Sequence, residues 1–192
     1  MSSALDAALD RFRDSWAVVE AAPAVGTLEL IVRRPAVDDR ELLDVARLDP
    51  VVGLEGDDWS RRGSGMTADG GPDPEAQITL ISTRVLGAIE PDRTRWPLAG
   101  DQLYVDIDLS VATLPPGSRL RIGNAVVEIS EPPHTGCAKF SARFGSDALR
   151  WINSPRGREL RMRGANARVI TGGEVRLGDR VEAVRVEAAE RG

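Results

Sequence analysis

The 192-residue chain reads as a β-rich α+β protein, an antiparallel β-barrel or strongly curved sheet with a few peripheral helices. Three observations predict it. Short runs of alternating apolar and polar residues recur along the chain, turn residues punctuate them at close intervals, and only a few stretches repeat at the helical spacing of three and four. With 42% hydrophobic and 29% charged residues the chain has the apolar content of a folded globular domain rather than of a disordered one.

Taken in order, Leu5, Leu9, Phe12, Trp16 and Val19 form one apolar stripe behind a capping Ser3, and Pro23 ends it. Residues 1–25 are therefore expected to be a helical extension packed on the outside of one domain, residues 26–192. In TLELIVRR (27–34), Leu28, Leu30 and Val32 alternate with Glu29, Ile31 and Arg33, which predicts a strand closed by Pro35. A second strand is expected around Leu43 and Val45, leading into the turn residues Asp49, Pro50 and Gly53. Residues 61–75, rich in Gly, Pro, Asp and Ser, have no period and predict a long loop. Gln77–Ile81 is a short strand, and Ser82 opens a helix that ends before Pro91. The alternation of Leu103, Val105, Ile107 and Leu109 is the clearest strand signal in the chain. RLRIG and AVVEIS make a hairpin about Gly123-Asn124. Helices follow from Cys137 and from a capping Ser146, with Pro155 a boundary. ANARVIT, EVRLG and DRVEAVRVE return the chain to strands.

Charge excludes one broad class. A net charge of -5 lacks the concentrated basic footprint that nucleic acid requires, so no nucleic-acid partner is expected. One exception is local: seven arginines against Asp147 and Glu159 lie between Arg143 and Arg168, a solvated helical face or a site for a phosphate-bearing ligand. No run approaches a membrane span, and MSSALDAALDRFRD has no basic-then-apolar signal, so a cytoplasmic location and no membrane partner are expected. A lone cysteine agrees with a reducing compartment.

The chemistry gathers in PPHTGCAKF (132–140), which holds the only histidine, His134, the only cysteine, Cys137, and the only lysine, Lys139. Two prolines force an extended approach, after which the thiol sits at a helix start, where free amides and neighbouring cations stabilise a thiolate. Helical spacing puts Cys137, Phe140 and Phe144 on one face and Lys139 and Arg143 on another. The alternative is a cysteine used as a small buried hydrophobe, which would be sealed and slow to react. Two Cys/His candidates are too few for a structural zinc site, and no GK[ST] phosphate loop occurs.

GLEGDDW (53–59), QITLIS (77–82), PLAGDQLYVDIDL (97–109), PPGSRLRIGNAVVEIS (115–130), PPHTGCAKFSARFG (132–145) and GANARVITGGEVRLGDRV (164–181), in that order, resemble the MOSC domain, named for the C-terminal domain of molybdenum cofactor sulfurase. The resemblance covers about residues 26–187. It implies a MOSC-type β-barrel and a cysteine, here Cys137, that ligates the molybdenum of a molybdopterin cofactor or carries sulfur as a persulfide. Some members reduce N-hydroxylated compounds by two electrons. The resemblance implies a cofactor side lined by His134, Lys139, Asp101 and Gln102, and as partners a small-molecule substrate with a redox partner or a cysteine desulfurase. Relatives often carry GDRH where this chain has Gly56-Asp57-Asp58-Trp59, and GEN where it has Gly100-Asp101-Gln102. Arg61 and Arg62, just downstream, are candidates to restore the lost positive charge. A non-catalytic binding module on the same fold is the third expectation.

Overall fold

The computed structural model describes residues 4–65 and 67–184; the expected Ser3 cap and the last residues of the final strand lie outside them. Two short helices, α1 (Ala4–Arg11) and α2 (Ser15–Glu20), stand where one was expected. The break falls where Phe12 turns in to stack on Trp151, ring centroids 4.5 Å apart, followed by Trp16 edge-on at 5.3 Å.

Strands β1 (Val25–Arg33) and β2 (Glu41–Leu43) are followed by β3 (Val45–Asp49) and β4 (Gly53–Leu54). Next come β5 (Ile78–Ser82), α3 (Thr83–Ile89) behind Ser82 as N-cap, and β6 (Leu103–Val105). The hairpin β7 (Arg119–Ile122) and β8 (Ala125–Ile129) turns at Gly123-Asn124. Helices α4 (Ala138–Phe144), α5 (Ser146–Ile152) and α6 (Pro155–Glu159) precede β9 (Ala165–Thr171), β10 (Gly173–Arg176) and β11 (Arg180–Val184). Gly145, not Ser146, is the N-cap of α5.

Seven strands close a barrel in the order β11-β7-β8-β9-β5-β6-β1, with β1 pairing back onto β11. β2 extends the sheet, and β10-β3-β4 form a small second sheet. The barrel is mixed rather than purely antiparallel, because β5 and β6 run parallel, joined by a crossover that carries α3. Closure removes the open sheet edges that a β-rich chain must otherwise protect.

Period-two alternation fills the interior. Ala125, Val127 and Ile129 of β8 and Ala165, Ala167 and Val169 of β9 point in, while Ile81 and Tyr104 point out under the helices with Trp151 and Ile152. β1 departs from its expected pattern: Leu28 and Ile31 face the interior while Leu30 and Val32 face the helical layer. A register shift between Leu28 and Leu30 inserts the extra residue that reverses the faces. The run from Leu103 also departs from expectation, since the strand stops at Val105. Asp106 there donates its amide to Thr27 and Asp108 donates its to Pro23, so the chain leaves the sheet along the start of β1 while Ile107 and Leu109 stay buried.

Gly26 is where this exit passes closest to β1. An added Cβ would lie 1.6 Å from the Asp106 carbonyl oxygen. Gly26→Ala should lower stability by about 1–3 kcal/mol, read as a lower urea midpoint at unchanged slope; an unchanged midpoint would contradict this packing.

Candidate functional site

After β8 the Pro132-Pro133 pair carries the chain across the barrel end to Gly136. Asn153, just past α5, clamps the backbone of Gly136: its Oδ1 accepts from the Gly136 amide and its Nδ2 donates to the Gly136 carbonyl, both at 3.1 Å. A Cβ at Gly136 would lie 2.6 Å from the Leu149 Cδ1 methyl and 2.9 Å from that of Ile152, so glycine lets the loop pass close under α5 without shifting those side chains. Cys137 follows as the N-cap of α4 in extended conformation, and it is exposed. The buried-hydrophobe reading is therefore not what this cysteine does. The Phe140 amide lowers its pKa from the ordinary thiol value; burial opposes this, and the Lys139 amide and the charges of Arg163 and Lys139 add to the lowering. Alkylation rate against pH should accordingly titrate below the ordinary value of 9.0, and a midpoint at or above it would contradict this environment.

Cys137 opens onto a cavity of about 210 Å³ lined by six cationic side chains, Arg34, Arg40, Arg62, Lys139, Arg143 and Arg163, against the carboxylates of Asp38 and Asp58. Two of the arginines are fixed in the interior. Arg34 is paired with fully buried Asp57 at 2.8 Å, and Arg163 with fully buried Asp101 at 2.7 Å. Arg143 reaches Asp38 at 2.8 Å, and Arg62 lies 3.6 Å from Asp58. Arg40 donates from Nε to the Pro97 carbonyl and from Nη1 to the Asp39 carbonyl, which leaves Nη2 for the cavity. Burial and then the charges of Arg143 and Arg34 lower its pKa, which is the mark of a cation held among cations. Lys139 has no carboxylate partner among the described residues. A small anion is the natural complement of such a cavity.

A second cavity, about 440 Å³, shares Arg34, Arg62 and Gly100 with the first and adds Trp59, Thr79, His134 and Asn166. Gly100 forms the common wall at φ 88°, where an L side chain would be strained. His134 stands 3.4 Å from Asp101 through Nδ1. Burial, then the charges of Arg163 and Arg34, hold its pKa well below the ordinary 6.5, so it is neutral at pH 7 and adds no positive charge beside the thiol. As pH falls below about 6.5 the unfolded chain takes up a proton that the folded site resists, so stability drops. His134→Gln should flatten the fall in urea midpoint between pH 7 and pH 5; equal slopes for both proteins would contradict the buried neutral imidazole.

Of the residues singled out in the sequence, Cys137, Lys139 and Arg62 line the smaller cavity, and His134 and Arg62 the larger. Asp101 is buried behind them. Gln102 is spent inside the barrel: its Oε1 accepts from the Thr79 amide and hydroxyl, and its Nε2 donates to the Gln77 carbonyl. Arg61 points away to the Pro35 carbonyl and lines neither cavity. The basic run divides in the same way. Arg143 and Arg163 enter the site, whereas Arg150, Arg156 and Arg168 pair with surface carboxylates. Arg34, Arg40 and Asp57 were missed, and the one signal in the sequence was the Arg33-Arg34-Pro35 end of β1 beside an unexplained Asp57-Asp58.

A family model described as the MOSC domain matches residues 70–182, more than half of the chain. The chain belongs to the MOSC domain family. The matched segment of this MOSC domain contains Asp101, His134, Cys137, Lys139, Arg143 and Arg163, whereas Arg34, Arg40 and Arg62 come from the segment before it. Among solved structures, the YuaD protein from Bacillus subtilis is similar with a TM-score of 0.63 and 17% identity over 83% of this chain and 95% of that one. YiiM from Escherichia coli is similar with a TM-score of 0.54 and 18% identity over 85% of this chain and 72% of that one. At these identities the likeness establishes the fold of the MOSC domain and nothing finer. No curated protein matches the chain. No helix among the described residues is long and apolar enough to cross a membrane.

Proposed function

We propose that this MOSC domain binds a molybdenum cofactor of the molybdopterin type with Cys137 as metal ligand, and acts as an oxidoreductase on N-hydroxylated small molecules. One observation carries the reading: an exposed, acidified thiol opens onto a cavity where four arginines are paired with Asp38, Asp57, Asp58 and Asp101 and two further cations, Arg40 and Lys139, have no carboxylate partner among the described residues. The residues fit the group. A thiolate is a soft ligand for a thiophilic metal, and a cofactor that brings its own sulfur donors needs little more from the chain. Among the described residues no three His, Cys, Asp or Glu side chains gather around a common point, so Cys137 would be the single protein ligand.

Lys139, Arg40 and Arg143 would grip the phosphate of the cofactor, and the buried Arg34–Asp57 and Arg163–Asp101 pairs would keep the cavity walls rigid while contributing little net charge. When bound, the cofactor supplies the two-electron chemistry. The larger cavity beside it, bounded by Trp59, Thr79 and His134, would hold and orient the substrate. A separate redox partner would return the electrons.

Protein made in a cofactor-competent host should reduce benzamidoxime with reduced methyl viologen as electron donor, and Cys137→Ser should abolish turnover. Inactive protein of full molybdenum content would remove the assigned substrate class. A second reading rests on the same exposed thiol, which could receive sulfur from a cysteine desulfurase and deliver it as a persulfide. It predicts a reducible sulfur adduct on Cys137 by intact mass after incubation with desulfurase and cysteine; an unmodified mass removes it.

A further inference from the structure

Between the two cavities lies a cluster that the proposed reading leaves without a task. Asp101 is buried, and only one of its carboxylate oxygens is engaged: Oδ2 accepts from Arg163 at 2.7 Å, while Oδ1 has no closed hydrogen bond. His134 faces that free oxygen. Its Nδ1 is sealed from solvent 3.4 Å away, just beyond a closed bond. His134 stands in the wall between the 440 Å³ cavity and a third cavity of about 300 Å³, and no hydrogen bond of Nε2 is found among the described residues.

The placement constrains the proton. Two lone pairs cannot face each other at this distance without cost, so a proton belongs between Nδ1 and Oδ1. Burial is the largest influence on the Asp101 carboxyl and raises its pKa, with the charges of Arg163 and Arg34 opposing it. The geometric reason to place the proton on nitrogen is that Arg163 already donates to the other oxygen of the same carboxylate at 2.7 Å, an arrangement that suits an acceptor-only group. Nε2 is then a bare acceptor at the cavity wall. A site with one fixed acceptor selects ligands by whether they present a matching donor, because a mismatched ligand leaves a polar pair unmade.

We propose that Asp101 fixes His134 as the Nδ1–H tautomer, so that Nε2 reads an N–H or O–H donor on the small molecule bound in the larger cavity. Asp101 acts as a positioning residue and His134 as the residue that touches the ligand. This deepens the proposed reading, in which the donor is the hydroxyl of an N-hydroxylated compound.

His134 is the only histidine, so protein labelled with ring-15N histidine gives one pair of imidazole nitrogen signals without assignment. Expected at pH 7 is a protonated Nδ1 and a bare Nε2. Adding benzamidoxime to the purified holoprotein should move the Nε2 signal in the direction of hydrogen-bond acceptance, and its O-methyl ether should not. A bare Nδ1, an imidazolium, an Nε2 signal indifferent to benzamidoxime, or one moved equally by the ether would each overturn the inference. Substitutions provide a second arm. Glutamine places a carbonyl oxygen near the Nε2 position and asparagine does not, so His134→Gln should hold benzamidoxime about tenfold more tightly than His134→Asn; equal affinities count against the assignment. Asp101→Asn should weaken the tautomer preference, and should that variant not fold, the wild-type signals decide alone. The tautomer is read without reference to molybdenum content, so metal-free protein with the expected tautomer would remove the cofactor reading alone, and loaded protein with the opposite tautomer would remove this inference alone.

Discussion

Replacing Arg34 by methionine is expected to destabilise the barrel by about 3–5 kcal/mol, because it strands a charge with no route to water. The Asp57 side chain is fully buried and its bonds come from two residues: Arg34 reaches both oxygens, at 2.9 and 2.8 Å, and the amides of Arg34 and Trp59 add 2.9 and 3.1 Å bonds. The same guanidinium donates to the Gly100 carbonyl at 2.9 Å, tying β1 to the glycine between the two cavities. Losing it removes the charge partner and loosens that wall together. The double variant Arg34→Met with Asp57→Leu should recover most of the loss, since a buried ion pair contributes little over an apolar pair of similar volume. Urea midpoints for wild type, both single variants and the double variant measure this. A single-variant loss below about 1 kcal/mol, the range of a surface pair, would contradict the buried assignment.

Trp151→Ala is expected to cost about 3–5 kcal/mol, in the range of a large aromatic removed from a packed core. Trp151 is fully buried on α5, stacked against Phe12 and edge-on to Trp16, so one side chain holds both N-terminal helices to the helical layer. α5 also leads into Asn153, the clamp on Gly136. The variant should therefore show two effects: a fall in urea midpoint, and a faster, less pH-selective alkylation of Cys137 as its loop loosens. Unchanged alkylation would mean that Asn153 holds the loop without help from the layer beneath it.

How much of this was legible in the sequence depends on how local each cause is. The β7–β8 hairpin was readable because turn residues act over a few positions; Ser82 stands at the N-cap position of α3 as its residue type suggests, although its hydroxyl makes no capping bond. The strand run from Leu103 was misjudged in length because burial at Ile107 and Leu109 continues after pairing ends, and alternation reports burial rather than hydrogen bonding. The inverted faces of β1 came from a bulge that no residue in TLELIVRR announces. In the site, Cys137 and Lys139 were visible because one turn of chain presents them. Arg34 and Arg163 were not marked as pocket walls, since their roles come from Asp57, 23 positions away, and Asp101, 62 positions away. Gln102 shows the converse. A motif pointed toward the cofactor, while the folded chain uses that amide to clamp Thr79 and Gln77.

Cys137 carries the account, and metal content tests it most directly. Protein purified from a cofactor-competent host should hold near-stoichiometric molybdenum with one protein-derived sulfur ligand by X-ray absorption, and Cys137→Ser should lose the metal while keeping the urea midpoint of wild-type protein made without cofactor. Metal-free wild-type protein under those conditions, or a serine variant that keeps its molybdenum, would contradict it.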